Sequence, residues 1–269
     1  MTKAIVSNDD TAQTTDGTGL TAFGPDGFTV GADTDYSDTT GVGMVAWNWK
    51  ETPAAGFDIV SYTGTGVPAT IFHNLGVVPA MMIVKNLTSV ENWQVYHKYM
   101  NAIPEDYYME LNTTAVATDD VTAWNDTAPT SSVFTVGTKN ATNKDTDSFI
   151  AYLFGDIEGY SKMGSYVANE NADGPFIYTG FKPAVVLIAN VENATHGWYW
   201  YDNKRDVHNP EQSRLMPNDT SVELYTDPTL DFVSNGFKLR TASTFVNDDG
   251  ETNIYMAFAE SPFKYSNAR

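Results

Sequence analysis

Residues 77–86 read VVPAMMIVKN, and residues 181–190 read FKPAVVLIAN. The two stretches align proline on proline at an interval of 183 − 79 = 104 residues. Each is a continuous apolar run that follows a proline and ends at an asparagine, which is typical of a central β-strand buried on both faces. We therefore predict that the two runs are the central strands of two equivalent units.

Other segments match at nearly the same interval. WQVYHK (93–98) aligns with WYWYDN (198–203) at 198 − 93 = 105 residues, and Phe154 aligns with Phe258 at 258 − 154 = 104 residues. Self-similarity at one interval indicates tandem structural units. The matches predict an internal repeat of about 105 residues, with a half-unit over residues 1–56 and full units over residues 57–160 and 161–269.

The half-unit carries MVAWNWKE (44–51), which aligns with FIAYLFGD (149–156). If this stretch is a strand, Trp47 and Trp49 point to the same face, since side chains alternate along a strand. Trp49 then takes the position of Phe154 and Phe258, which favours a core role over a sugar-stacking platform. An unpartnered half-unit also exposes strand edges. We expect residues 20–50 either to complete the sheet of the first full unit or to insert into a neighbouring subunit.

The composition indicates an all-β protein. Aromatic residues make up 13% of the chain, and polar turn residues separate short apolar runs. β-branched and aromatic residues favour strands, whereas Gly, Asn and Asp favour turns. We expect tandem β-sandwich-like modules, with hairpins that join runs such as VFTV (133–136) and FIAYLF (149–154) through long projecting polar loops. The only helical element expected is a short turn within residues 104–115.

Charge and cysteine content exclude several functions. The formal net charge is −19, with 15 basic and 34 acidic residues, and the chain has no cysteine. Nucleic-acid binding requires a cationic patch, and anionic membranes repel such a chain. Thiolate catalysis and disulfides need cysteine. The first residues lack the apolar run of a signal peptide, and no apolar run is long enough to span a membrane, so we expect neither export nor insertion.

Acidic groups are the remaining candidates for chemistry. Asp156 and Glu158 share a strand face, and a retaining glycosidase needs two such carboxyl groups. The aligned positions of the other units do not repeat the pair, so we predict no catalytic residues. Acidic loops at residues 33–35, 145–147 and 247–251 have the oxygen ligands that calcium prefers, but turn formation explains them more simply. We predict no metal and no cofactor.

The densest aromatic cluster is WYWY (198–201). Aromatic rings of this kind either stack on sugars or pack between modules. We favour packing, because a repeat array must bury its module contacts. The residues proposed as a ligand-binding alternative are Trp198, Trp200, Tyr201, Trp93 and Tyr96.

Several motifs together resemble a repeat domain of structural proteins in marine tailed phages. They include VAWNWKE, FHNLGVVPAMMIVKN, FIAYLFGDIEGYSKMGSY, DGPFIYTGFKPAVVLIAN and IYMAFAESPFKYSNAR. The resemblance covers residues 20–269, and in longer members the repeat often follows a concanavalin-like lectin or glucanase-type domain. That family has no established catalytic residues to transfer.

The resemblance implies a non-enzymatic bacteriophage virion protein, assembled in the host cytoplasm and exposed on the particle. The first expectation is a tail-fibre or appendage module that displays loops to a host-surface glycan or protein. A capsid decoration or head-fibre protein is the alternative, and a glycan depolymerase using Asp156 and Glu158 is the least favoured. Expected partners are other virion proteins and further copies of the chain, for example in a trimer, with no nucleic acid and no membrane.

Overall fold

The computed structural model describes residues 3–37, 41 and 43–261. Within these residues no helix is long and apolar enough to cross a membrane. The strands are β1 Lys3–Ala4, β2 Thr14–Thr15, β3 Leu20–Gly24, β4 Gly27–Val30, β5 Phe57–Thr63, β6 Ala69–Phe72, β7 Met81–Asn86, β8 Gln94–His97, β9 Tyr107–Glu110, β10 Thr118–Asp119, β11 Val133–Val136, β12 Ser148–Phe154, β13 Ser161–Val167, β14 Phe176–Tyr178, β15 Pro183–Asn190, β16 Trp198–Asp202, β17 Glu211–Arg214, β18 Leu224–Val233, β19 Gly236–Leu239 and β20 Thr252–Ala259. One-turn helices are α1 Val121–Trp124, α2 Asn140–Asn143 and α3 Thr244–Asn247, with 3₁₀ turns at Pro53–Ala55 and Pro104–Asp106.

Four sheets form the body of the molecule, and every strand pair in them is antiparallel. Two larger inner sheets have the strand orders β10-β9-β8-β7-β12-β5 and β13-β20-β15-β16. Two outer sheets have the orders β11-β6 and β14-β19-β18-β17. The prediction of an all-β, sandwich-like fold is confirmed.

Each inner sheet separates two hydrophobic cores, because its side chains alternate between faces. Along β7, Met82 and Val84 enter an outer core beneath β6 and β11, whereas Met81 and Ile83 enter a central core. Strand β15 behaves in the same way, with Val186 and Ile188 in the other outer core and Leu187 and Ala189 in the central core. The central core therefore joins the two inner sheets face to face, and the two apolar runs are buried on both faces as predicted.

The two inner sheets share a strand order. In one, β12 lies between β5 and β7, and β8 follows β7; in the other, β20 lies between β13 and β15, and β16 follows β15. Corresponding strands begin 104 residues apart at β5 and β13 (161 − 57) and at β12 and β20 (252 − 148). This order is consistent with the proposed repeat, which together with the unit boundaries stays a prediction from sequence.

The predicted hairpin between residues 133–136 and 149–154 is wrong. Strand β11 pairs with β6 in an outer sheet, whereas β12 pairs with β5 and β7 in an inner sheet. The connection folds back instead of projecting: α2 ends at Asn143, whose fully buried amide donates to the carbonyls of Gly137 and Val67 at 2.6 Å each. Asn247 closes the connection between β19 and β20 similarly, donating to the carbonyls of Thr241 and Asn171. The chain crosses from one layer to another at both places.

The amino-terminal residues also differ from expectation. Strand β4 pairs with β3 in a separate two-stranded sheet, so residues 20–30 do not complete the sheet of the first full unit. Residues 43–51 form no strand ladder, although their burial alternates: Val45, Trp47 and Trp49 are half-buried and their neighbours are exposed. Trp47 and Trp49 both pack on the central core, so the prediction that the rings share a face is confirmed. Insertion of this region into a neighbouring subunit stays a prediction.

Residues 5–13 form a strap along the first inner sheet. The Asp10 carbonyl accepts from the Lys85 ammonium at 3.0 Å and from the Glu91 amide at 2.9 Å. The Gln13 amide donates to the Leu87 carbonyl at 3.2 Å. The strap thus fastens the amino-terminal residues to the sheet without adding a strand to it.

Candidate functional site

All five aromatic residues proposed as ligand contacts are buried. Their exposed fractions are 2% for Trp198, 7% for Trp200, 0% for Tyr201, 5% for Trp93 and 4% for Tyr96. The three tryptophans lie in the central core, and Tyr201 and Tyr96 lie in the two outer cores. Stacking on a sugar needs an accessible ring face, which the described surface does not offer at these positions, and packing between layers accounts for the cluster.

Two of these indoles donate hydrogen bonds to backbone carbonyls of segments that lie earlier in the chain. Trp198 Nε1 donates to the Glu110 carbonyl at 2.9 Å, and Trp93 Nε1 donates to the Val6 carbonyl at 3.0 Å. The donors are 198 − 93 = 105 residues apart, and the acceptors are 110 − 6 = 104 residues apart. A buried indole N–H needs a partner, so each contact fixes the position of a ring and of the strand beside it.

Three rings from widely separated segments meet in the central core. The Trp49 centroid lies 6.4 Å from that of Phe154 and 5.5 Å from that of Phe258, and the two phenylalanine centroids are 6.1 Å apart. All three contacts are edge-to-face, an arrangement that aromatic pairs favour. These are the three residues that the sequence alignment placed at one equivalent position.

A cavity of about 410 Å³ adjoins this aromatic group. Its lining is mostly apolar: Ser7, Trp47, Trp49, Ile83, Leu111, Phe154, Leu187, Trp200, Leu215, Met216, Pro217, Asp219, Ser221 and Met256. The Trp47 and Trp200 centroids are 4.8 Å apart, and neither buried Nε1 has a hydrogen-bond partner among the described residues. The lining thus offers a largely apolar surface on which apolar side chains can pack.

His97 is fully buried between the two inner sheets. Its Nδ1 accepts from the Tyr99 amide at 3.2 Å, so Nε2 carries the proton and donates to the Tyr255 carbonyl at 3.1 Å. Burial lowers the pKa of His97 to about 4, although the Tyr255 carbonyl and Asp156 oppose that shift. The ring is therefore neutral at pH 7 and joins the two sheets as a structural group.

Glu211 is the most perturbed carboxyl group of the described residues. It is 2% exposed, and its Oε2 has no hydrogen-bond partner there. Burial, with the nearby charges of Asp206 and Asp202, raises the pKa of Glu211 to about 8 against the opposing effect of Arg205. Among the described residues, no hydrogen bond joins Glu211 to a basic or nucleophilic side chain.

The two carboxyl groups considered for glycoside hydrolysis have different surroundings. Asp156 accepts from the Met163 amide at 2.7 Å and from the Lys98 ammonium at 3.1 Å, and Lys162 lies 3.7 Å away. These contacts connect the first full unit with the start of the second. Glu158 is exposed.

The acidic loops considered for calcium are engaged in other contacts. Asp147 accepts from Asn86 and Ser89, and Asp33 accepts from the Asp35 amide. Among the described residues, no group of three or more His, Asp or Glu side chains could hold a metal ion.

The outer sheets expose aromatic rings that the sequence reasoning did not select. Phe72 of β6 is 77% exposed, Tyr178 of β14 is 65% exposed and Tyr225 of β18 is 69% exposed, and Phe176 of β14 is 48% exposed. Phe72 and Phe176 are 176 − 72 = 104 residues apart, which was the available signal. Burial alternates along β14, so Phe176 and Tyr178 share the outward face.

The fold defines an all-β protein of stacked antiparallel sheets, whose aromatic residues serve mainly to join its layers. Residues 1–262 match the family described as a domain of unknown function, DUF7483, and the chain belongs to that family. No curated protein and no solved structure matches the chain.

Proposed function

We propose that this chain is a non-enzymatic structural protein of a bacteriophage virion, acting as a tail-fibre or appendage module. The observation that carries the proposal is the distribution of aromatic rings: one set is buried between layers, and a second set faces outward from both outer sheets. The first set supports a rigid body, and the second provides contact area. The resemblance of the repeat motifs to marine tailed-phage structural proteins supports the particle context.

Attachment would use the outward rings in place of the buried cluster. Phe176 and Tyr178 lie side by side on β14, and Phe72 lies on β6 of the other outer sheet. An exposed ring binds a sugar face or a protein side chain with modest energy, and many copies on one particle add their contacts. The net charge of −19 is compatible with a solvent-facing particle surface.

The test has two steps. Antibody labelling of assembled particles should place the protein on the tail or an appendage. The Phe176→Ala/Tyr178→Ala double variant should then lower adsorption of particles to host cells without changing the melting temperature, whereas Tyr99→Ala, on another surface, should leave adsorption unchanged. Absence of the protein from purified particles would refute the proposal. If the wild-type protein shortens host polysaccharide and a folded Asp156→Asn variant does not, the result would support a depolymerase instead.

Capsid decoration is the second candidate, and the β3–β4 hairpin favours it. Phe23 and Phe28 are 65% and 42% exposed on that hairpin, which pairs with no other sheet in the described structure. Exposed apolar rings of this kind suit a protein surface. Labelling on the head, with loss of incorporation in Phe23→Ser/Phe28→Ser, would favour decoration over attachment. Light scattering of the free chain would test the expected homo-oligomer.

A further inference from the structure

Residues 203–213 lead from the end of β16 into β17, and we call them the connecting segment. Strand β17 is the edge strand of its sheet, and its pairing with β18 shifts in register between Glu211 and Ser213. Just beyond the segment, the backbone of Leu215 exchanges two hydrogen bonds with that of Trp200. The connecting segment can therefore open locally, because an irregular ladder holds it at one edge while both of its ends are anchored.

Glu211 is a buried carboxyl group within the connecting segment. It is 2% exposed, and its Oε2 has no hydrogen-bond partner among the residues that the structure describes. Burial disfavours the ionised form of a carboxyl group, and a missing donor leaves that cost uncompensated. The geometry therefore favours a neutral Glu211 as long as the segment is closed.

Two further carboxyl groups act on Glu211, and both of them hold the connecting segment closed. Asp202 accepts from two backbone amides at the start of the segment at 3.0 Å each. Asp206 accepts from two backbone amides of β17 at 2.6 Å each, so it ties the middle of the segment to the strand. A negative charge on Glu211 would be repelled by both groups, since like charges disfavour ionisation at short range.

The two cationic groups that act on Glu211 are engaged elsewhere. Arg205 donates to Asp202, to Glu223 and to a backbone carbonyl at 2.6, 2.8 and 2.9 Å. The ammonium of Lys182 is paired with another carboxylate at 3.0 Å. An ionised Glu211 could gain either cation only at the expense of a contact that exists already.

We propose that Glu211 is a proton-controlled switch for the connecting segment. With the carboxyl group protonated, the segment stays closed on the edge of the sheet. Ionisation adds a third negative charge beside Asp202 and Asp206, and the segment opens so that the new carboxylate reaches water. The inference does not depend on the proposed virion role.

The direction of the response follows from the two states. Burial raises the pKa of Glu211 to about 8 in the closed segment, against 4.5 for the ordinary group, which the open segment exposes to water. Between these two values each pH unit favours the open state by about tenfold. The closed segment is therefore most stable in acid, and opening becomes more frequent as the pH rises toward 8.

Amide hydrogen exchange of the full-length chain measures this opening. The probes are the amides of Gln212 and Ser213, which exchange only when their bonds to Asp206 break. After correction for the intrinsic pH dependence of exchange, their rates should rise by about tenfold or more from pH 5.5 to pH 7.5. The amides of β20 serve as the internal reference and should not follow this rise.

Two variants assign the effect to Glu211. Glu211→Gln keeps the size of the side chain but does not ionise, so the rise should disappear. The matched control Glu51→Gln changes an exposed carboxyl group and should keep the rise of the wild type. Equal rises in the wild type and Glu211→Gln would overturn the proposal, and so would an equal rise in the amides of β20, which would indicate opening of the whole fold.

A titration of the wild type decides the question even if Glu211→Gln does not fold. The carboxyl carbon of Glu211, followed by nuclear magnetic resonance, should report a pKa well above the ordinary 4.5. Its titration should coincide in pH with the change in exchange of Gln212 and Ser213. A Glu211 carboxyl group that ionises below pH 5 while the segment stays closed would overturn the proposal.

Discussion

At the scale of single residues, paired indole contacts determine how successive parts of the chain dock. Trp93 and Trp198 each donate to a carbonyl of a preceding segment while their rings fill the central core. Side-chain alternation predicts which rings share a face, and it did so for Trp47 and Trp49. It does not predict which face meets solvent, because that depends on whether a second sheet packs on the face, and the local sequence does not encode that packing. The five proposed ligand contacts are buried because a second layer covers both faces of their strands.

Trp198→Phe tests the indole contact between the two units. The substitution keeps an aromatic ring but removes the donor to the Glu110 carbonyl, which is 2.9 Å from Nε1. We expect the free energy of unfolding to fall by about 1–3 kcal/mol, as for a buried acceptor that loses its partner. Urea denaturation measures the change. Trp93→Phe is the matched control, because it removes the donor to the Val6 carbonyl in the strap. Protease should then cleave residues 5–13 faster in Trp93→Phe than in the wild type, and Trp198→Phe should not show this change.

His97 predicts a pH dependence of stability. Burial holds its pKa at about 4 in the folded protein, against 6.5 for the unperturbed group. The unfolded chain therefore takes up a proton first, so the stability that the neutral ring contributes is complete above pH 6.5 and is lost as the pH falls toward 4. Between pH 7 and pH 5 the loss attributable to His97 is about 2 kcal/mol, at roughly 1.4 kcal/mol for each unit below 6.5.

Comparison of the wild type with His97→Gln isolates this effect. Glutamine keeps a donor and an acceptor but does not titrate, so the variant should lose less stability than the wild type over the same pH range. The difference between the two proteins is the quantity to measure, because Glu211, whose pKa is raised to about 8, changes stability in the opposite direction. Parallel pH profiles for the two proteins would show that His97 does not carry the dependence.

At the scale of elements, continuous apolar runs predicted β7 and β15 correctly because burial on both faces leaves a direct sequence signal. The hairpin predicted between β11 and β12 is wrong because the partner of β11 is β6, some 60 residues earlier in the chain. The signal that could have revealed the layer crossing is the pair Asn143 and Asn247, at 247 − 143 = 104 residues. A projecting loop has no need for a buried asparagine, whereas these two satisfy backbone carbonyls inside the protein.

Lys85 is predicted to hold the strap (residues 5–13) against the first inner sheet. Its ammonium is fully buried and donates to the carbonyls of Asp10, Asn86 and Glu91 at 2.9–3.0 Å. Lys85→Met keeps an unbranched side chain one heavy atom shorter but leaves three carbonyls with fewer donors, so we expect a loss of about 2–3 kcal/mol in unfolding free energy. Limited proteolysis with mass spectrometry should show faster cleavage in residues 5–13. The exposed Lys3→Met should show neither effect, and an unchanged cleavage rate in Lys85→Met would contradict this role.

At the scale of the whole molecule, the central core joins the two inner sheets face to face, so we expect the two sandwiches to unfold together. Side chains from both inner sheets and from Trp47 and Trp49 share one cluster, so unfolding of one sandwich would expose the apolar face of the other. Independent modules joined by a linker would instead melt separately.

Phe258→Ala tests that cooperativity. The ring is buried and contacts Trp49, Phe154 and Tyr160 at centroid distances of 5.5–6.1 Å, so its removal leaves a cavity at the junction of three segments. We expect a loss of about 3–5 kcal/mol, and scanning calorimetry should still show one transition whose calorimetric and van't Hoff enthalpies agree. Phe176→Ala, at an outward position of the same unit, should shift the transition little. A shared core should transmit the loss to both units and shift a single transition. Two resolved transitions in Phe258→Ala, with residues 57–160 melting at the wild-type temperature, would instead show that the units fold independently.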